Sequence, residues 1–143
     1  MATPSLKSLS MMTSTMLGFL SLQFILGVLS ALYVTFPDTT DQKTLMDFAN
    51  QHWQTMSHFI LGIILVLFGL WILIQAIRRK QKPFGIVATI AFIMVLVAGY
   101  GGDQFVRTQN DAYSVVMAVA FIIAMGLYGR LLAALMVAQA KGE

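Results

Sequence analysis

Two histidines, His52 and His58, are the side chains of this chain best suited to metal or proton chemistry, and they stand six residues apart. An imidazole can ligate haem iron or exchange a proton near neutrality. The chain has no cysteine, which removes thiolate catalysis, disulfides and cysteine-based metal sites. On a straight helix, six residues turn about 240° and rise about 9 Å. His52 and His58 therefore serve one iron only if the chain bends between them, or if a second copy contributes. A zinc site is excluded on spacing, because no i, i+4 histidine pair and no further nitrogen or sulfur ligand is present.

His58 heads the pattern His58-x-x-x-Gly62, with Gly69 seven residues further on. These positions fall on about one face of a helix, and two glycines there let something approach the backbone closely. Either a neighbouring helix or a flat cofactor meets that description. Gln23 is the one strongly polar residue in the middle of the first apolar stretch, followed by Gly27 and Ala31. A buried amide needs partners, so Gln23 is expected to face other helices or a ligand. The candidate cofactor contacts are thus His58, His52, Gln23 and Gly62, with His58 as the candidate ligand to haem iron. Met56 and Met94 are the weaker alternatives for a second iron ligand. Near residue 100 three glycines, Gly99, Gly101 and Gly102, precede Asp103 and Arg107. This run is expected to end a helix in a glycine turn. Asp103 and Arg107 either pair there or contact a polar ligand group.

The elements that position these residues follow from hydropathy. The chain has 143 residues, 58% of them hydrophobic and 10% charged, against about 25% charged in a typical soluble domain. A chain this short cannot hide so much apolar surface in a water-surrounded core. Four apolar stretches, residues 14–36, 58–77, 84–100 and 113–137, each match the length at which a helix crosses about 30 Å of hydrocarbon. The fold class expected is an all-α integral membrane protein, a single four-helix transmembrane bundle. A short amphipathic helix is expected over 41–53 in the first outer loop, because Leu45, Phe48, Ala49, His52 and Trp53 share a helical face. Asp41 or Thr44 is placed to cap it.

A net charge of +3 does not signal nucleic acid here, because Arg78, Arg79, Lys80 and Lys82 concentrate in one short loop. That is a topology signal, and it places this loop and both termini in the cytoplasm of a cell membrane of bacterial plasma-membrane type. Arg130 then snorkels toward the inner interface. Partners expected are the lipid bilayer and either further copies of the chain or a larger membrane complex.

The order Gln23-x-x-x-Gly27, a first span closing at Phe36-Pro37, and His58 opening the second span above Gly62 resembles one four-helix half of the haem A synthase family. The resemblance covers residues 22–73. It implies a four-helix bundle in which His58 serves haem b at the outer end, with Gln23 and Gly27 as the family's glutamine–glycine pair. The chain departs from the pattern at Thr55, where the family has glutamate, and at Phe59, where it has arginine. The fourth span also lacks the family's second histidine. Two functions therefore stand: an accessory or oligomerising membrane component without catalysis of its own, or a haem- or quinone-associated redox protein using His58.

Overall fold

The computed structural model describes residues 5–37, 39, 41–79 and 81–142, with Gln42 described in its backbone alone. Every regular element among them is helical: α1 (Leu6–Tyr33), α2 (Gln42–Gln51), α3 (Trp53–Arg78), α4 (Lys82–Thr108) and α5 (Asp111–Ala140). Four of these, all but α2, are long and apolar enough to cross a membrane. Each is longer than the apolar stretch that marks it. At 1.5 Å per residue, the 28 residues of α1 reach about 42 Å, beyond a hydrocarbon core of about 30 Å.

The helix ends explain the extra length. Ser5 starts α1 by accepting a hydrogen bond from the Ser8 amide at 3.1 Å, eight residues before the expected start, because a serine cap initiates a helix without help from hydropathy. It stops at Val34, which is extended (φ −126°, ψ 121°), three residues before Pro37. Asp41 caps α2 as expected, its carboxylate accepting from the Thr44 amide at 2.9 Å and the Thr44 hydroxyl at 2.6 Å. A single extended residue, His52 (φ −119°, ψ 96°), separates α2 from α3. The bend considered between the two histidines is therefore real.

The glycine turn expected near residue 100 is overturned. Helix α4 runs straight through Gly99–Gly102 and ends at Gln109, which takes the left-handed conformation (φ 52°) and donates its amide to Phe105 O at 2.8 Å. Contact with α5 accounts for Gly101 and Gly102, and Gln109 supplies the cap instead.

The four long helices form a ring in which α1 packs on α3 and α5, and α4 packs on α3 and α5. Their buried positions advance by three and four residues. On α1 these are Leu6, Leu9, Thr13, Met16, Leu20, Gln23, Leu26 and Ser30. On α4 they are Phe84, Ala88, Ala91, Val95, Ala98 and Gly101. This is the heptad spacing of left-handed coiled-coil packing. Leu9, Met16, Leu20, Leu65, Ile72, Tyr128, Leu131 and Leu135 fill the centre. Antiparallel alternation gathers Lys7, Arg78, Arg79, Lys82 and Lys141 at a basic end. Asp41, Asp47, Asp103 and Asp111 lie at the opposite, acidic end.

Candidate functional site

The α1–α3 seam carries the polar residues singled out from sequence. Gln23 and His58 meet across it, Gln23 Nε2 lying 3.2 Å from His58 Nε2. With the amide nitrogen donating, Nε2 of the ring accepts and the ring proton resides on Nδ1. Each partner sits over a glycine of the opposing helix. A Cβ on Gly27 would lie 3.1 Å from His58 Cε1, and one on Gly62 would lie 3.5 Å from Gln23 Nε2. The arrangement is reciprocal, since Gln23-x-x-x-Gly27 on α1 interlocks with the antiparallel His58-x-x-x-Gly62 on α3. Further along the same register, Met16 Cε would come within 3.4 Å of a Cβ on Gly69.

Continued toward the acidic end, this register sets Ser30 opposite Thr55. Both hydroxyls are buried and without a hydrogen-bond partner, as are Gln23 Oε1 and His58 Nδ1. Helical hydroxyls elsewhere bond back to their own chain: Thr13 to Leu9 O, Thr15 to Met11 O, Ser21 to Leu17 O and Thr89 to Gly85 O. Ser30 and Thr55 do not. Four orphaned polar atoms thus cluster over about two turns of one seam, each carrying a desolvation cost of about 1–3 kcal/mol when unpaired.

His52 is not part of this cluster. Its Nδ1–H donates to Phe48 O at 2.9 Å, and its ring lies 4.2 Å from the Phe48 ring. Phe36 joins this group, 5.8 Å from Phe48 and 6.4 Å from Phe105 on α4. The group is an aromatic cap over the acidic end, in which His52 closes the last turn of α2. Asp103 and Arg107 pair with each other, Nε to Oδ2 at 2.8 Å, on the last turn of α4. This is an ordinary i, i+4 pair of modest worth.

Tyr128 escaped the sequence reading, and Gly101 was noted there only as part of a turn. Gly101 is the glycine most tightly closed over, where a Cβ would stand 2.9 Å from Met117 N and 3.0 Å from Tyr113 O of α5. Tyr128 is wholly buried, and its unpartnered hydroxyl reaches from α5 across the centre to within 3.0 Å of where a Cβ on Gly69 would stand. Heptad spacing in α4 and α5 was the available signal for both.

The geometry tests a haem at His58. Iron needs a free ring nitrogen with space beyond it for a macrocycle. The Nε2 lone pair faces the Gln23 amide, and the Nδ1 edge lies 3.5 Å from the Cβ position of Gly27. The residues in this arrangement do not fit a porphyrin. Among the described residues, no three of His, Cys, Asp or Glu converge as a metal-binding group.

What the fold and site define is a class: an all-helical bundle with four helices of membrane-spanning length, locked along one seam by a glutamine–histidine clasp. No protein-family model matches the chain, and comparisons with curated proteins and with solved structures find no match.

Proposed function

We propose that this chain is a small polytopic membrane protein that acts as a non-catalytic assembly component, docking a second membrane helix on the outward face of α5. A contrast among its glycines carries this reading. Gly27, Gly62, Gly69 and Gly101 are each closed over by a neighbour at 3.5 Å or less, whereas Gly18, Gly99, Gly126 and Gly129 have nothing within 4 Å, and of these open glycines only Gly126 and Gly129 stand one turn apart on the same helix. A glycine costs a helix about 1 kcal/mol relative to alanine. Facing lipid it gains nothing in return, but facing another helix it permits close backbone contact. Ala133, also exposed, continues the stripe, with Arg130 exposed beside it. The occupant proposed is a second copy of the chain.

Membrane placement is supported by the outward residues, since Leu32, Leu67 and Ile122 are 71%, 64% and 67% exposed. Water would not tolerate such a surface. Positive charge at one end supports a cytoplasmic position for both termini and the basic loop. Gln23 and His58 then have a structural task, holding α1 to α3 inside the bilayer.

The test is the mass of the purified protein in a mild detergent, by light scattering. Wild type is expected to be larger than one chain, and Gly126→Ile with Gly129→Ile to reduce it to a monomer of unchanged helicity. A monomeric wild type would refute docking by a second copy. The visible spectrum tests the absence of redox chemistry. A colourless protein from haem-replete cells is expected, and a Soret band lost in His58→Ala would overturn it.

A further inference from the structure

A groove of about 360 Å³ opens at the basic end, between the start of α4 and the end of α5. Phe84, Ala134, Val137 and Ala138 line it with apolar surface, and Gln81 and Lys141 stand at its polar rim. Gln81 precedes the first turn of α4 and makes no side-chain cap to it. Its Oε1 is buried and without a partner, so the rim offers an acceptor that lacks a donor. The first amides of α4 bring the positive end of the helix dipole to the same rim. Lys141 adds a full charge, and Arg78, Arg79 and Lys82 extend the positive field around it. In sequence, Glu143 is the one acid beside these segments.

An apolar slot beneath a cationic rim matches an acyl chain beneath a phosphate. The unpaired acceptor adds a requirement, since something in the head group must donate a hydrogen bond. We propose that this groove binds one anionic phospholipid with a hydroxyl-bearing head group, of the phosphatidylglycerol type. The phosphate sits at Lys141 beside the positive end of α4, a head-group hydroxyl donates to Gln81 Oε1, and an acyl chain runs along Phe84, Ala134 and Val137. The position suits a lipid of the leaflet at the basic end, where each lysine near an anionic surface contributes about 1 kcal/mol. The inference rests on the membrane placement proposed above.

The full chain, purified in a neutral detergent, is offered equal amounts of phosphatidylglycerol, phosphatidylmethanol and phosphatidylcholine, and retained lipid is counted by native mass spectrometry. Phosphatidylmethanol carries the same charge without the head-group hydroxyls. Phosphatidylglycerol is expected to be retained best. Lys141→Ala should weaken it roughly fivefold, and Gln81→Leu should reduce it to the level of phosphatidylmethanol. Ala134→Phe, which fills the slot, should expel it, with far-UV circular dichroism confirming an unchanged fold. Equal retention of phosphatidylcholine, or indifference to Lys141→Ala and Ala134→Phe together, overturns the site. Carbonate extraction of cell membranes tests the underlying placement separately, because a protein released by carbonate refutes the membrane reading whatever lipid it retains.

Discussion

Gly99 and Gly101 lie two residues apart in α4 and should respond to alanine in opposite directions. A Cβ on Gly99 meets nothing within 4 Å, whereas one on Gly101 meets Met117 N at 2.9 Å, Tyr113 O at 3.0 Å and Met117 Cα at 3.2 Å. All three obstacles at Gly101 are backbone, so no rotamer change relieves them. To restore ordinary contact, α4 and α5 must separate locally by about 0.5 Å in a close-packed interior. Overpacking of this kind costs about 1–3 kcal/mol, against a gain in helix propensity of up to about 1 kcal/mol. Gly101→Ala is therefore expected to lose up to about 2 kcal/mol net. Gly99→Ala keeps only the favourable part, a gain of about 0.5–1 kcal/mol. Thermal unfolding in detergent micelles, followed by far-UV circular dichroism, reads both. If the glycine run were a turn at the end of α4, the two variants would fail together. A destabilised Gly99→Ala, or a Gly101→Ala as stable as wild type, would refute the continuous helix and its contact with α5.

Other substitutions probe the remaining features. Tyr128→Phe removes a buried hydroxyl that has no partner, so its midpoint should be unchanged or raised, and a loss beyond about 1 kcal/mol would show a missed hydrogen bond. A double-mutant cycle between Gln23→Leu and His58→Phe should give a coupling of about 0.6 kcal/mol, the size of a hydrogen bond between membrane helices; zero coupling would remove the clasp. At the start of α2, Thr44 holds the Asp41 carboxyl below the ordinary aspartate pKa, first through its hydroxyl and then through its amide. A depressed folded-state pKa contributes stability above the unfolded value and loses it as the pH falls through the folded one. Amide-exchange protection in α2 should therefore fall in acid below the usual carboxylate range, and Asp41→Ala should abolish that dependence. Protection that stays constant through that range would refute the role of the Asp41 carboxylate.

The number and kind of the helices were legible because apolar length is a one-dimensional signal. Their inward faces were not, because a helix apolar all round does not show by hydropathy which side meets its neighbours. Only the rare polar or small residues mark the face, and Gln23, Gly27, His58 and Gly62 were noticed for that reason. Their pairing needed the antiparallel register, which no single span contains. The missed helix end at Gly99–Gly102 has a different cause. Glycine lowers helix propensity in water, yet here Gly101 is required by backbone contact inside a helix that tertiary packing sustains. The separation of His52 from His58 was argued for a straight helix, which the extended residue His52 interrupts, and the imidazole of His52 turns back to Phe48 O.

The clasp makes most physical sense as a register lock. Most other contacts along α1 and α3 are made by Leu, Met, Ile and Ala, and such residues tolerate sliding by a heptad at little cost in burial. A slide of seven residues, about 10 Å, would carry His58 from Gly27 to Leu20 or Val34, both buried. An imidazole then collides with a branched side chain instead of resting over a bare backbone. The two glycines therefore act as much against wrong pairings as for the right one, as a polar residue at a coiled-coil core position does. The single hydrogen bond adds about 0.6 kcal/mol, too little to explain a glutamine and a histidine held in an apolar seam. Specificity of register accounts for them better than stability does. It also accounts for the orphaned atoms beside them, since a lock needs shape at Gly27 and Gly62, and hydrogen bonds at every polar atom are secondary to that.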